Sequence, residues 1–208
     1  MKTVSKIKMV LLDAGHGGII NGEYVTAGKR SPKWADGSQY FEGVGNRLIR
    51  EELAKMLRAE GIRYKFVNEG EADTSLKARV DFANSQARKY GAGNTLLISI
   101  HSNGFHDQNA NGWECFTTPN KTNSDQYAEV LYNKMRAEYP NERFRTDYSD
   151  GDQDKEAYFY VIRKTICPAI LSENFFHTNP RECQEILMCK HGRRKIAKAH
   201  LEMIKEFI

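Results

Sequence analysis

"TLLISIH", residues 95–101, is a continuous apolar and β-branched run that stops at a histidine. A half-exposed strand alternates apolar with polar residues, whereas an unbroken run of this length reads as a strand buried on both faces, as in a parallel sheet covered by helices. Outward from it the same unit recurs. On its N-terminal side, Leu76, Val80, Ala83, Ala87 and Tyr90 repeat at helical spacing before "GAG" (91–93) stops the helix. Earlier still, 7–13 reads as a first strand and 14–41 as a long glycine-containing loop. A helix over 43–60 follows, carrying Leu48, Ile49, Leu53, Met56 and Leu57 on its apolar face, with Gly61 as its stop and 62–67 as a strand.

On the C-terminal side, 112–118 reads as a strand, 124–139 as a helix and 140–157 as a polar, Asp-rich loop. Residues 158–163 fit either a strand or a short helix, and 167–173 ("CPAILSE") fits a strand. Asn179-Pro180 with Glu182 marks a helix cap, and Ile196, His200, Met203 and Phe207 give the last helix its apolar stripe. Strands alternating with helices predict an α/β fold, a twisted, mostly parallel sheet flanked by helices on both faces. With no internal repeat or Pro/Gly/Ser linker, residues 1–208 are read as a single domain.

Hydrophobic residues make up 40% and charged residues 28% of the 208, the balance of a globular protein with a sizeable core. No apolar run approaches the roughly 18 residues that would span a bilayer, so no membrane anchor is expected. The N-terminal lysines precede an apolar segment (9–12) too short for an export signal, which runs directly into Asp13. Thirty-one basic residues against 27 acidic give a net charge of +4, too small to name a partner. The basic cluster "KHGRRKIAK" (190–198) reads as the solvated face of the last helix, and no nucleic-acid partner is expected. Cys115, Cys167, Cys183 and Cys189 contain no CxxC pair and are expected as buried or free thiols.

Ligands of open α/β sheets bind beyond the carboxyl ends of the strands. This places His16 after the first strand, His101 at the end of "LLISIH" and Glu173 at the end of "PAILSE" beside one crevice, with Glu42 at the start of the first helix as a fourth candidate. Singly, each has a plainer reading: His16 as a turn residue, Glu42 as a helix N-terminal carboxylate favoured by the dipole, His101 and Glu173 as polar strand ends. Together they match the composition of many catalytic zinc sites, in which three protein ligands leave a fourth position to water.

Five ordered motifs resemble those of the zinc-dependent N-acetylmuramoyl-L-alanine amidases of the amidase-3 type. They are Asp13-Ala14-Gly15-His16-Gly17-Gly18; Glu42-Gly43-Val44-Gly45-Asn46; Leu76, Arg79, Ala83 and Asn84; Ser99-Ile100-His101-Ser102-Asn103; and Pro168 through Glu173 with Phe176, Thr178 and Asn179. The resemblance implies that His16, Glu42 and His101 are Zn2+ ligands and that Glu173 is the general base and acid. Asp13, Asn103 and His177 become candidates for supporting the ligands or meeting substrate. Phe175 stands where that family usually has Gly, and His177 where it commonly has an apolar residue. His106, in a loop without a family counterpart, is not taken as a ligand.

The implied substrate is peptidoglycan, cut between the muramyl lactyl group and L-alanine, by a protein expected to act as a monomer. Tyr24, Trp34, Tyr40 and Phe41 in the long loop are placed either to line a substrate groove or to pack. Two other readings use the same residues: a zinc peptidase or deacetylase of similar fold, and a non-catalytic wall-binding module, against which retention of Glu173 argues. With no export signal read, the expectation is a phage endolysin, made in the host cytoplasm and acting on the wall after release to lyse the cell.

Overall fold

The computed structural model describes residues 6–149 and 151–208. Six strands form one sheet in the order β4-β1-β5-β8-β6-β7. They are β1 (Met9–Ala14), β4 (Tyr64–Phe66), β5 (Thr95–Asn103), β6 (Glu114–Thr117), β7 (Lys155–Glu156) and β8 (Ala169–Phe176). β2 (Ile19–Ile20) and β3 (Glu23–Tyr24) form a separate hairpin inside the long loop. The four strands β4, β1, β5 and β8 run parallel; β6 turns back antiparallel to β8, and β7 joins its far side.

The central strands are buried throughout, and their two-residue period sorts side chains between two cores. Val10, Leu12, Leu96, Ile98, Ile100 and Ile170 face the helices α1 (Glu42–Ala59), α3 (Asp125–Glu138) and α5 (Lys190–Lys205). Met9, Leu11, Leu97, Ala169 and Leu171 face α2 (Leu76–Tyr90) and the short α4 (Tyr160–Lys164). The sheet is therefore flanked by helices on both faces, as the unbroken apolar runs predicted. Ser75 caps α2 by accepting the Ala78 N–H at 3.2 Å.

Two local expectations change, and one open reading is decided. Of the strand and the short helix that 158–163 allowed, the structure has the helix, α4 (Tyr160–Lys164). Glu182 opens a π-helical turn, Glu182–Leu187, whose first N–H is taken by the Asn179 side chain at 3.0 Å. Neither His101 nor Glu173 ends its strand: β5 and β8 continue pairing to Asn103 and Phe176, across a register shift between His101 and Asn103. All four cysteines are free thiols, three of them buried. Much of the basic cluster is engaged within the chain. Arg193 donates to the Leu187 and Met188 carbonyls, Lys195 lies 4.2 Å from the Tyr139 ring centre, and Lys198 pairs with Glu138 at 2.6 Å.

Candidate functional site

Asp13, at the buried end of β1, forms an ion pair with Arg79 of α2 at 2.5 Å and accepts the Ser99 hydroxyl at 2.7 Å. The same guanidinium donates to the carbonyls of Ala14 (2.7 Å) and His16 (3.3 Å), and Arg47 of α1 donates to the His16 carbonyl at 2.9 Å. Two arginines thus clamp the chain where it leaves the sheet. His16 itself is held at φ +65°, a left-handed conformation that costs a non-glycine residue about 1–3 kcal/mol and persists where surrounding contacts enforce it. Gly15 precedes it because the His101 ring lies where a β-carbon would stand.

Glu42 opens α1 against this turn. Its Oε1 lies 3.2 Å from His16 Nε2 and 3.1 Å from His101 Nδ1, and it accepts the Ser102 N–H at 3.4 Å. The two imidazoles meet edge-on, 5.0 Å between centres. One ligand atom from each of His16, Glu42 and His101 falls within 4.8 Å of the others, an arrangement that can hold a metal ion. Burial pushes the Glu42 carboxyl up, but the hydrogen bonds from His101 and His16 more than reverse this and hold it well below the usual carboxylate range. His101, pulled down by burial, is raised overall by its Glu42 hydrogen bond and the surrounding carboxylates.

Glu173 stands beside His101 in the parallel β5–β8 register and opposite Glu114 of β6. Its Oε2 is buried without a hydrogen-bond partner. Burial first, then the nearby Glu42 and Glu114 charges, push its carboxyl up to about 8 against the pull of His101. Glu114 is itself neutralised by Arg145 (3.0 Å) and Lys155 (2.7 Å), and its second oxygen accepts from Asn103 Nδ2.

These groups open into a cleft of about 430 Å³ lined by Glu42, His101, Asn103 and Glu173, with His106, His177, Lys29 and Arg30 around them. Of the three supporting candidates, Asp13 reaches His16 only through Arg79, and Asn103 contacts Glu114. His177 donates to the Ser102 carbonyl at 3.0 Å, and burial lowers its pKa. His106 lies against Phe105, outside the three-residue group. The loop aromatics pack: Trp34 and Tyr40 are buried in the core, and Tyr24 lies tilted against Phe41, 4.8 Å between ring centres. The loop's contribution to the cleft wall is 27–30, with its two cations. Phe175 has φ +63°, which explains why glycine suits that position; its fully buried ring packs edge-on against Tyr139.

Sequence reasoning missed several supports. Asn174 donates to the His101 carbonyl at 2.9 Å and accepts the Trp113 indole at 3.1 Å, and Asn46 donates to the Gly15 carbonyl at 3.2 Å. Asn46 sits one helical turn after Glu42, a spacing that points to it; for Asn174 and Glu114 no local pattern does.

Two histidines and two carboxylates gather at the edge of an open α/β sheet, an arrangement suited to hydrolysis, and comparison with known proteins gives the family. Residues 10–206 match the family model described as N-acetylmuramoyl-L-alanine amidase, and the chain belongs to that family. N-acetylmuramoyl-L-alanine amidase AmiA of Salmonella typhimurium is 28% identical over an alignment covering 95% of this chain and 75% of its own. AmiA of Escherichia coli is 25% identical, with 94% and 74% covered. The fold is shared with the N-acetylmuramoyl-L-alanine amidase from Clostridium difficile 630 (TM-score 0.76, 24% identity, covering 98% of this chain and 97% of that one). Among the described residues no helix is long and apolar enough to cross a membrane.

Proposed function

We propose that this chain is a zinc-dependent N-acetylmuramoyl-L-alanine amidase whose metal is held by His16, Glu42 and His101, with Glu173 as the proton carrier. The observation that carries the reading is the convergence of the three ligand atoms within 4.8 Å beside a carboxylate whose buried oxygen has no other partner. The donor set suits zinc: two imidazoles and one carboxylate, the composition of catalytic sites that keep a position open. A zinc ion held there would supply a nucleophile near neutral pH, by bringing the pKa of water toward about 7, and would polarise the scissile carbonyl.

The chain's own residues do the rest. Glu173, raised toward neutrality, is matched to take a proton from the attacking water and return it to the departing L-alanine nitrogen. Glu42 binds as a carboxylate without waiting for deprotonation, because the flanking imidazoles favour its charged form. The clamp of Arg47 and Arg79 on the His16 carbonyl and the Asn174 contact to the His101 carbonyl orient the two rings. Lys29 and Arg30 line the wall that an anionic stem peptide would approach.

The whole of 1–208 is the catalytic domain in this reading and acts as a monomer. In this reading the chain acts as a lysin that breaches a host wall. The catalytic domain of the CD27L endolysin shares the fold, with a TM-score of 0.63 at 18% identity. Digestion of purified sacculi tests the activity. New L-alanine amino termini should appear without new reducing ends, since a single carboxylate beside a metal site lacks the paired carboxylates of glycosidases. Cleavage confined to the stem would make the protein a peptidase, and binding without release would make it a wall-binding module. Clearing of permeabilised cells tests the lytic role.

A further inference from the structure

Two cavities meet at the His16, Glu42 and His101 group. The cleft with Glu173 is one; the other, of about 380 Å³, shares His101 with it and no other lining residue. His16 lines only this second cavity, whereas Glu42 and Glu173 line only the first. Its wall comes from the start of α2 and from α4, through Thr74, Ser75, Leu76 and Val161. That volume is in the range of small-molecule sites, which combine apolar walls with a few polar groups.

Leu76 has no place in the core. By spacing it belongs to the stripe of Ala83 and Ala87, which pack against the sheet, yet at the first position of α2 it is 54% exposed. A lone exposed leucine is ordinary. Here, with Val161, it gives an apolar wall to a cavity that reaches both histidines. Beside it the Ser75 hydroxyl accepts the Ala78 N–H at 3.2 Å and keeps its own proton to donate, and Thr74 adds a second hydroxyl. An apolar wall edged by hydroxyls complements a pyranose ring, which presents C–H faces and a polar rim.

Proton delivery sets the direction of the substrate. In the amidase reading Glu173 returns a proton to the L-alanine nitrogen, so the stem peptide on that nitrogen lies on the Glu173 side, where Lys29 and Arg30 also line the wall. A trans amide sends its two substituents to opposite sides, which directs the acyl half away from that cleft. Only the lactyl group separates the scissile carbonyl from the sugar, so the sugar needs a cavity adjoining the ligand group. We propose that the cavity between α2 and α4 holds the muramyl sugar, with Leu76 and Val161 under its C–H face and the Thr74 and Ser75 hydroxyls at its polar rim. The assignment rests on the amidase reading with Glu173 as proton carrier, and it orients the substrate with the sugar at α2 and the stem at residues 27–30.

Two substrates with one stem test this: a muramyl tripeptide and the corresponding D-lactyl tripeptide, which lacks only the sugar. Wild type should prefer the muramyl form. The ratio of the two kcat/KM values should fall about fivefold in Leu76→Ala and in Leu76→Gln, the scale of losing half a leucine's burial. Alanine and glutamine both favour helix, so α2 is kept. Lys29→Gln, on the stem side, should lower both values together and leave their ratio unchanged. Binding gives a readout apart from turnover: in Glu173→Gln, the methyl NMR signals of Leu76 and Val161 should shift on titration with the muramyl form and not with the lactyl form. A ratio that falls in Lys29→Gln but not in the Leu76 variants puts the sugar in the Glu173 cleft and overturns the proposal. So does a wild type indifferent to the sugar, or methyl signals that stay in place in excess muramyl tripeptide. Failure of the wild type to cleave either substrate or sacculi removes the amidase reading itself, and the methyl titration then still decides whether the cavity takes the sugar.

Discussion

Replacing Arg79 with Met tests whether the buried ion pair at the end of β1 organises the turn that carries His16. Arg79 and Asp13 are 3% and 1% exposed, and the Asp13 carboxylate would be left with the Ser99 hydroxyl alone. Breaking one side of such a pair costs about 3–5 kcal/mol, because a buried charge loses its compensation. The Ala14 carbonyl loses a donor as well, while the His16 carbonyl keeps Arg47. For a chain of this length about 2–4 °C of Tm accompanies each kcal/mol, so Arg79→Met should melt roughly 6–20 °C lower. The double variant Asp13→Ala/Arg79→Met removes both charges and should recover much of that loss, since replacing a buried pair by apolar groups is often close to neutral. Calorimetric melting and urea unfolding of the four proteins close the cycle. A single-variant cost below about 1 kcal/mol, or a double variant no more stable than the sum of the singles, would refute the reasoning.

Glu173→Gln should keep its metal and lose about two to four orders of magnitude in turnover on sacculi, the scale of general acid–base catalysis; near-normal turnover would mean another group moves the proton. His101→Ala should lose bound zinc by elemental analysis while His106→Ala retains about one ion per chain, and equal retention in both would remove His101 from the ligand set. His200 is fully buried between the Ser172 hydroxyl and the Ile196 carbonyl, and burial lowers its pKa to about 4. Its folded-state pKa lies below the unfolded value near 6.5, so the stability it contributes is fully present above that value. About 3 kcal/mol of it should disappear as the pH falls from 6.5 to 4. Urea titrations of wild type and His200→Met across that window should show the difference, and parallel pH profiles would place the titration elsewhere.

The sequence by itself determined the layered α/β architecture, because strand burial and helix amphipathicity are written as local periods. "TLLISIH" reads as doubly buried, and Val10 and Leu12 do face the opposite core from Met9 and Leu11. It also named the residues that meet at the cleft, since the parallel connection rule puts His16, His101 and Glu173 on one rim however far apart they lie in the chain. Tertiary structure alone decided how they meet. That β6 runs antiparallel, setting Glu114 opposite Glu173, depends on strand order, which no local period encodes. That β8 continues past Glu173 depends on pairing with β5 across a register shift. The long loop offered aromatics as a groove lining, but their apolar rings were drawn into the core and onto each other, leaving Lys29 and Arg30 at the wall.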